Sequence, residues 1–198
     1  ACRDYYQFDN NGNLPTLIYN KQPEYLKKPT GDSSKRGRMV YAFENLNPYQ
    51  FLKAKYKGAE PTDRDKRLIE SLLVDQKLNP GVVNVLIDYV LRTNDNKLNR
   101  SLVETIAGQW SRKNIETVEE AMEIARKSTD LKEIKMLREI LTEGVEKGSF
   151  SIESIETATL MIFYAVKGLE SPYNRRHISG KMKSRRDHIA KFVLKGLR

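Results

Sequence analysis

The sequence is poor in the side chains that do most metal and covalent chemistry. Among 198 residues it has one cysteine, Cys2, and two histidines, His177 and His188. A single thiol excludes an internal disulfide and suits a reducing compartment. These residues form no cluster with metal-ligand spacing, so neither a metal nor a cofactor is expected. No apolar run approaches the roughly eighteen residues a membrane helix needs, and the first residues lack the apolar core of a signal peptide. Any membrane link should be peripheral or made through a partner. No Gly-x-x-x-x-Gly-Lys phosphate loop is present, so the chain is not expected to bind or hydrolyse ATP itself. Tryptophan occurs once, at Trp110. The chain opens on Ala1 rather than methionine, which reads as a piece cut from something longer.

What the sequence does have is positive charge and helical periodicity. Lys and Arg number 35 against 26 Asp and Glu, a net charge of +9. That balance favours an anionic partner, nucleic acid or an acidic membrane surface. An apolar fraction of 39% with a mean hydropathy of -0.63 fits a helical protein with a generous polar surface. The closest acid pairs, Asp63 with Asp65 and Glu119–Glu120 with Glu123, fall in first helical turns, where carboxylates complement the helix dipole. With no nucleophile beside a base, the chain reads as a non-enzyme.

Along the chain the pattern is all-α. Residues 1–46 look irregular, with Asn-Asn-Gly-Asn and Pro15 as turn signals, and 27–38 has the polar, basic, glycine-containing composition of a flexible linker. A helical domain is expected over 47–127. Asn47-Pro48 opens its first helix and Gly58 stops it; Thr62 opens the second and Asn79-Pro80 the third. In the third, Val82, Val83, Leu86, Ile87, Val90 and Leu91 cover most of the circumference, which places it at the middle of a bundle. After a turn at Thr93–Asn96, Leu102, Ile106 and Trp110 fall four apart on one stripe, widened by Val103 and Ala107. Arg112, Lys113 and Asn114 break the apolar pattern, Ile115 follows, and Thr117 with Glu120 reads as a capping box. A fifth helix runs from Val118 towards Lys127.

Three further helices are expected over 129–198. The first carries Leu131, Ile134, Leu137, Leu141 and Val145. Ser151 caps the second, which is continuously apolar from Leu160 to Val166, and the last carries Ile189, Phe192, Val193 and Leu197. Three helices alone leave too many apolar residues facing outward, so this segment should pack on the first domain or on a second copy of the chain.

The string Ile106-x-x-x-Trp110, a basic pair, a short gap and Ile115-x-Thr117 resembles the Tyr-x-x-x-Ile-x-x-x-Trp signature of the DnaD/DnaB-like replication initiation proteins of low-GC Gram-positive bacteria. Leu102 stands where the signature has tyrosine, which removes the hydroxyl and ring from that position. The likeness covers about 1–127 and is densest over 45–125. The opening ACRDYYQFDNNGNLP would be the tail of a preceding repeat, with Tyr5 near its Trp position. It implies a compact DnaD-like helical module, single-stranded DNA binding, and primosome partners, the replicative helicase and its loader among them. It also implies a cytoplasmic, nucleoid-associated location, at most peripheral to the membrane. After Lys127 a different family is resembled. Gly144, Gly148 and Phe150, then Gly168-Leu169 and Gly196-Leu197, are similar to the C-terminal helices of TetR-type regulators. That likeness implies a dimer and a ligand pocket lined by Met161, Phe163 and Tyr164, although no helix-turn-helix precedes it.

Three stretches concentrate positive charge: 27–38, the surroundings of the signature helix, and 175–198. For single-stranded DNA, Lys97, Arg100, Arg112, Lys113, Arg126 and Lys127 are the candidates to meet phosphates, while Leu102, Ile106, Trp110 and Ile115 shape the helix. Trp110 would stack a base only if its ring is exposed; buried, it leaves phosphate contacts alone and a strong salt dependence.

Overall fold

The computed structural model describes residues 17–28, 31–170 and 191–196. Among them are α-helices α1 (Lys35–Asn45), α2 (Pro48–Lys55), α3 (Asp63–Val74), α4 (Pro80–Thr93), α5 (Arg100–Arg112), α6 (Val118–Glu146) and α7 (Ile155–Glu170). Two 3-10 turns, Leu17–Tyr19 and Glu24–Leu26, precede them, and residues 191–196 are helical. No strand occurs among the described residues. Cα packing divides the chain into Ala1–Lys127 and Ser128–Arg198.

The first unit is built around α4, which packs against α1, α2, α3 and α5. Every residue from Gly81 to Leu91 is buried, as the all-round apolar sequence requires of a central helix. Two polar residues share that burial, and each ties α4 to a neighbour. Asn84 is fully buried, and its amide donates to Phe43 O at 2.9 Å and Leu46 O at 2.7 Å, closing the C-terminal end of α1. Asp88, with 4% of its side chain exposed, is paired with Lys55 of α2 and, at 2.9 Å, with Arg92 one turn on.

Local signals set most helix ends. Asn47 accepts from Gln50 N at 2.8 Å with Pro48 in the first turn. Thr62 and Asp65 form a reciprocal capping box, as do Thr117 and Glu120, whose N–H groups are each held by the other's side chain at 3.0 and 3.3 Å. The Thr117 N–H holds the Glu120 carboxyl below its ordinary range. Gly58, at φ +94°, ends α2 by donating to Lys53 O at 2.9 Å, a left-handed position that glycine takes without Cβ strain.

Several features differ from the sequence reading. The stretch 27–38 is not a free linker throughout, because Ser34 accepts from Gly37 N and opens α1, which buries Val40, Phe43 and Glu44. Nor is the preceding segment loose. Ile18 is 4% exposed in the core, and Lys28 N donates to Glu44 at 3.0 Å. Asn79 does not cap α4 with its side chain. That role falls to the buried Gln22, whose carbonyl accepts from Gly81 N at 2.9 Å while its amide donates to Glu116 O at 2.9 Å. Finally, the fifth helix does not stop near Lys127: α6 runs 29 residues, since no Gly or Pro between Arg126 and Leu131 breaks it.

In the second unit, α7 folds back antiparallel along α6. Arg138 holds Glu156 with two bonds of 2.9 Å, and Lys167 reaches Asp130 at 3.1 Å and Glu133 at 2.7 Å. The cap of α7 is Ser154, accepting from Thr157 N, and not Ser151. The turn out of α6 explains the Gly144, Gly148, Phe150 spacing. Gly148 sits at φ +69°, and a Cβ on Gly144 would lie 2.1 Å from the Phe150 ring. Gly144→Ala is therefore expected to expel Phe150 and cost about 1–3 kcal/mol of overpacking. Thermal unfolding checks this, and an unchanged melting temperature would refute it.

Candidate nucleic-acid interface

The signature helix α5 turns a compact wedge into the core. Val103 and Ala107 are fully buried and Trp110 is 2% exposed, while Leu102, Ile106 and Ile115 are half-buried against the same cluster. Trp110 therefore offers no ring face to a base, and its place among nucleic-acid contacts is corrected: it is a core residue. The buried side of α5 is centred on residues 103, 107 and 110, three to four apart, and the signature positions 102 and 106 flank it half-buried.

The six candidate cations do not form one cluster. Lys97, in the turn before α5, is exposed and makes no ion pair among the described residues. Arg100 is bound by Glu104 at 2.7 Å. Arg112 and Lys113 lie at the other end of the helix, about 18 Å away at 1.5 Å per residue. Both are exposed. The Arg112 guanidinium lies along α5, 3.4 Å from where a Gly108 Cβ would be, and the same point is 3.7 Å from Gln76. Lys77, exposed and at φ +54°, follows Gln76 and brings a third cation to this corner. Sequence reasoning missed it because α3 and α5 are separated along the chain. Arg126 and Lys127 are committed elsewhere. Both reach Glu123, at 2.8 and 3.6 Å, and the Arg126 guanidinium holds the Glu123 carboxyl down at about 2.

The acids read as possible chemistry have structural duties. Asp65 and Glu120 close capping boxes, Asp63 pairs with Lys66, and Glu119 pairs with Lys28 at 2.7 Å. No group of three metal-ligating side chains occurs among the described residues, and no described helix is long and apolar enough to cross a membrane.

Two open clefts mark the first unit. One, of about 550 Å³, lies between α3 and α5 and is lined by Arg64, Asp65, Leu68, Leu98, Arg100 and Glu104 among others. The other, of about 620 Å³, runs beside α1 past Lys28, Arg36, Arg38, Tyr41 and Glu119.

The ligand pocket expected of the second unit is not formed by its three residues. Met161 and Tyr164, one turn apart on α7, are 68% and 65% exposed, while Phe163 is buried on another face with the Lys167 ammonium 5.4 Å from its ring. Residues at i and i+3 share a helix face, and i+2 does not. Of the closing basic segment only Lys191 and Lys195 are among the described residues; His177, His188, Arg175 and the rest of that stretch lie outside them, as does Tyr5 with the proposed tail of a preceding repeat.

The described residues of the first unit form an all-α module centred on α4. Residues 49–125 match the family described as replication initiation and membrane attachment. The chain is also 29% identical over 135 residues to the replicative helicase loading/DNA remodeling protein DnaB of Staphylococcus aureus, a match covering 64% of this chain and 28% of that relative. The chain thus spans well under half the length of the curated relative it matches. No solved structure matches.

Proposed function

We propose that this chain acts without catalysis in the initiation of bacterial DNA replication, holding single-stranded DNA and helping to bring the replicative helicase and its loader to it. The observation that carries this reading is the family match across α2 to α5 and into α6, the stretch that also holds the cations of the α5 corner, which make no ion pair among the described residues. The work would be done by contact: phosphates at Lys77, Arg112 and Lys113, with Lys97 at the far end of α5. Arg126 and Lys127, tied to Glu123, would add little. The cell-level corollary is a cytoplasmic, nucleoid-associated protein whose membrane contact is peripheral.

Fluorescence anisotropy of a labelled single strand over a salt series tests it. Neutralising Arg112 and Lys113 together, each to alanine, should weaken binding and reduce the slope of log K against log salt by about 1.4, at roughly 0.7 per phosphate contact. The Arg126→Ala, Lys127→Ala pair should leave the slope near that of the unaltered chain. Unchanged affinity and slope in the first variant would sink the placement of the site.

A further inference from the structure

With Trp110 buried, a single strand has phosphate partners on α5 but no base partner there. Single-strand binding without sequence preference combines cations along the backbone with aromatic faces on which bases stack. Among the described residues of the first unit, the strongly exposed aromatics are Tyr19 at 46%, Tyr25 at 86% and Tyr41 at 57%. Tyr19 already packs on Tyr49, with ring centroids 5.2 Å apart. Tyr25 sits between Glu24 and Lys27, which pair with each other. Tyr41 differs. It stands on α1 one turn after Arg38, so their Cβ atoms are about 5–6 Å apart on one face. Arg38 and Arg36 are exposed and make no ion pair among the described residues.

Both arginines and Tyr41 line the 620 Å³ cleft beside α1, with Lys28 on its rim. The acids around it are already engaged. Asp32 accepts from the Ser34 N–H and hydroxyl, each at 2.8 Å. Glu44 is buried and accepts from Lys28 N at 3.0 Å, and Glu119 is held by the Lys28 ammonium at 2.7 Å. Asp32 stays exposed with its charge in reach of Arg36, so an incoming phosphate shares Arg36 with it, while Arg38 makes no ion pair among the described residues.

We infer that this face of α1 is a base-stacking subsite for single-stranded nucleic acid, with a base on the Tyr41 ring and the adjoining phosphate on Arg38 and Arg36. The inference rests on the single-strand reading above and deepens it. It assigns stacking to the one helix whose sequence resembles a linker, and leaves the signature helix to packing and charge.

The test uses the full chain with a labelled oligo-dT strand, and the same strand carrying abasic sites. Tyr41→Ala should weaken binding to the normal strand roughly tenfold, with the salt slope unchanged and with little loss on the abasic strand. Tyr41→Phe should bind like the unaltered chain, which separates stacking from damage to the fold. Arg38→Ala should lower the salt slope by about 0.7. If the unaltered chain binds single strands while Tyr41→Ala and Arg38→Ala match it, the subsite is refuted and the single-strand reading stands. If the unaltered chain binds no single strand at low salt, both fall. Loss of binding in Tyr41→Ala to phosphatidylserine vesicles alone, with DNA binding intact, would make this face a membrane contact and overturn the assignment.

Discussion

Replacing Trp110 by alanine is expected to lower stability by about 3–5 kcal/mol, the largest effect of any substitution on α5. The indole is 2% exposed and belongs to the same buried cluster as Val103, Ala107 and the apolar residues of α4, and its loss leaves a void that the bundle refills only in part. For a unit of this size the melting temperature should fall by more than about 10 °C. Because the chain has a single tryptophan, intrinsic fluorescence reports on this site alone. The folded protein should resist acrylamide quenching, and adding single-stranded DNA should leave the emission nearly unmoved. Strong quenching by DNA, or loss of DNA affinity at unchanged stability, would show the ring to be a binding surface.

The second large effect concerns Asp88, and it is asymmetric. The carboxylate is buried, whereas Lys55 and Arg92 reach it from outside with side chains 37% and 61% exposed. Removing the acid leaves two cations that water can solvate, and Lys55 also keeps the Phe51 ring at 5.1 Å. Removing the cations leaves a charge inside the bundle with no counter-ion. The double variant Lys55→Met, Arg92→Met should therefore cost about 3 kcal/mol, the low end for a broken buried pair because the lost partners were part-solvated. Asp88→Asn should cost clearly less. Denaturant titration of both variants gives the comparison, and equal losses would show that the ion pair is a surface interaction in energetic terms.

What the sequence revealed depended on how local the deciding interaction was. The helix start at Thr62, the capping box at Thr117, the Asn47-Pro48 start and the all-round apolar α4 are written within a few residues of each other, and the structure has them where the pattern put them. Helix α1 was hidden because Lys35, Arg36, Gly37 and Arg38 in its first turns look like a linker. The signal was there in Ser34 as cap and in Val40 and Phe43 three apart. The role of Gln22 was beyond pattern reading, since its partners lie 59 and 94 residues away. Trp110 carried the likeness yet stayed ambiguous, because periodicity says which residues share a face and not what covers it. Among the cations, Arg126 and Lys127 looked as available as Arg112 and Lys113 until Glu123 was seen beside them.

The long reach of Gln22 bears on the order in which the module assembles. Helices α3 and α5 reach α4 across short connections, so their contacts can form early. The bonds from Gln22 to Gly81 and Glu116 close larger loops, of 59 and 94 residues, and need both ends of α4's surroundings already in place. The 17–28 strap should then dock after the rate-limiting step. Weakening it, for instance by Gln22→Ala, should speed unfolding while leaving the folding rate almost untouched. The strap would act as a latch on the finished bundle, setting how long the native state persists rather than how fast it is reached.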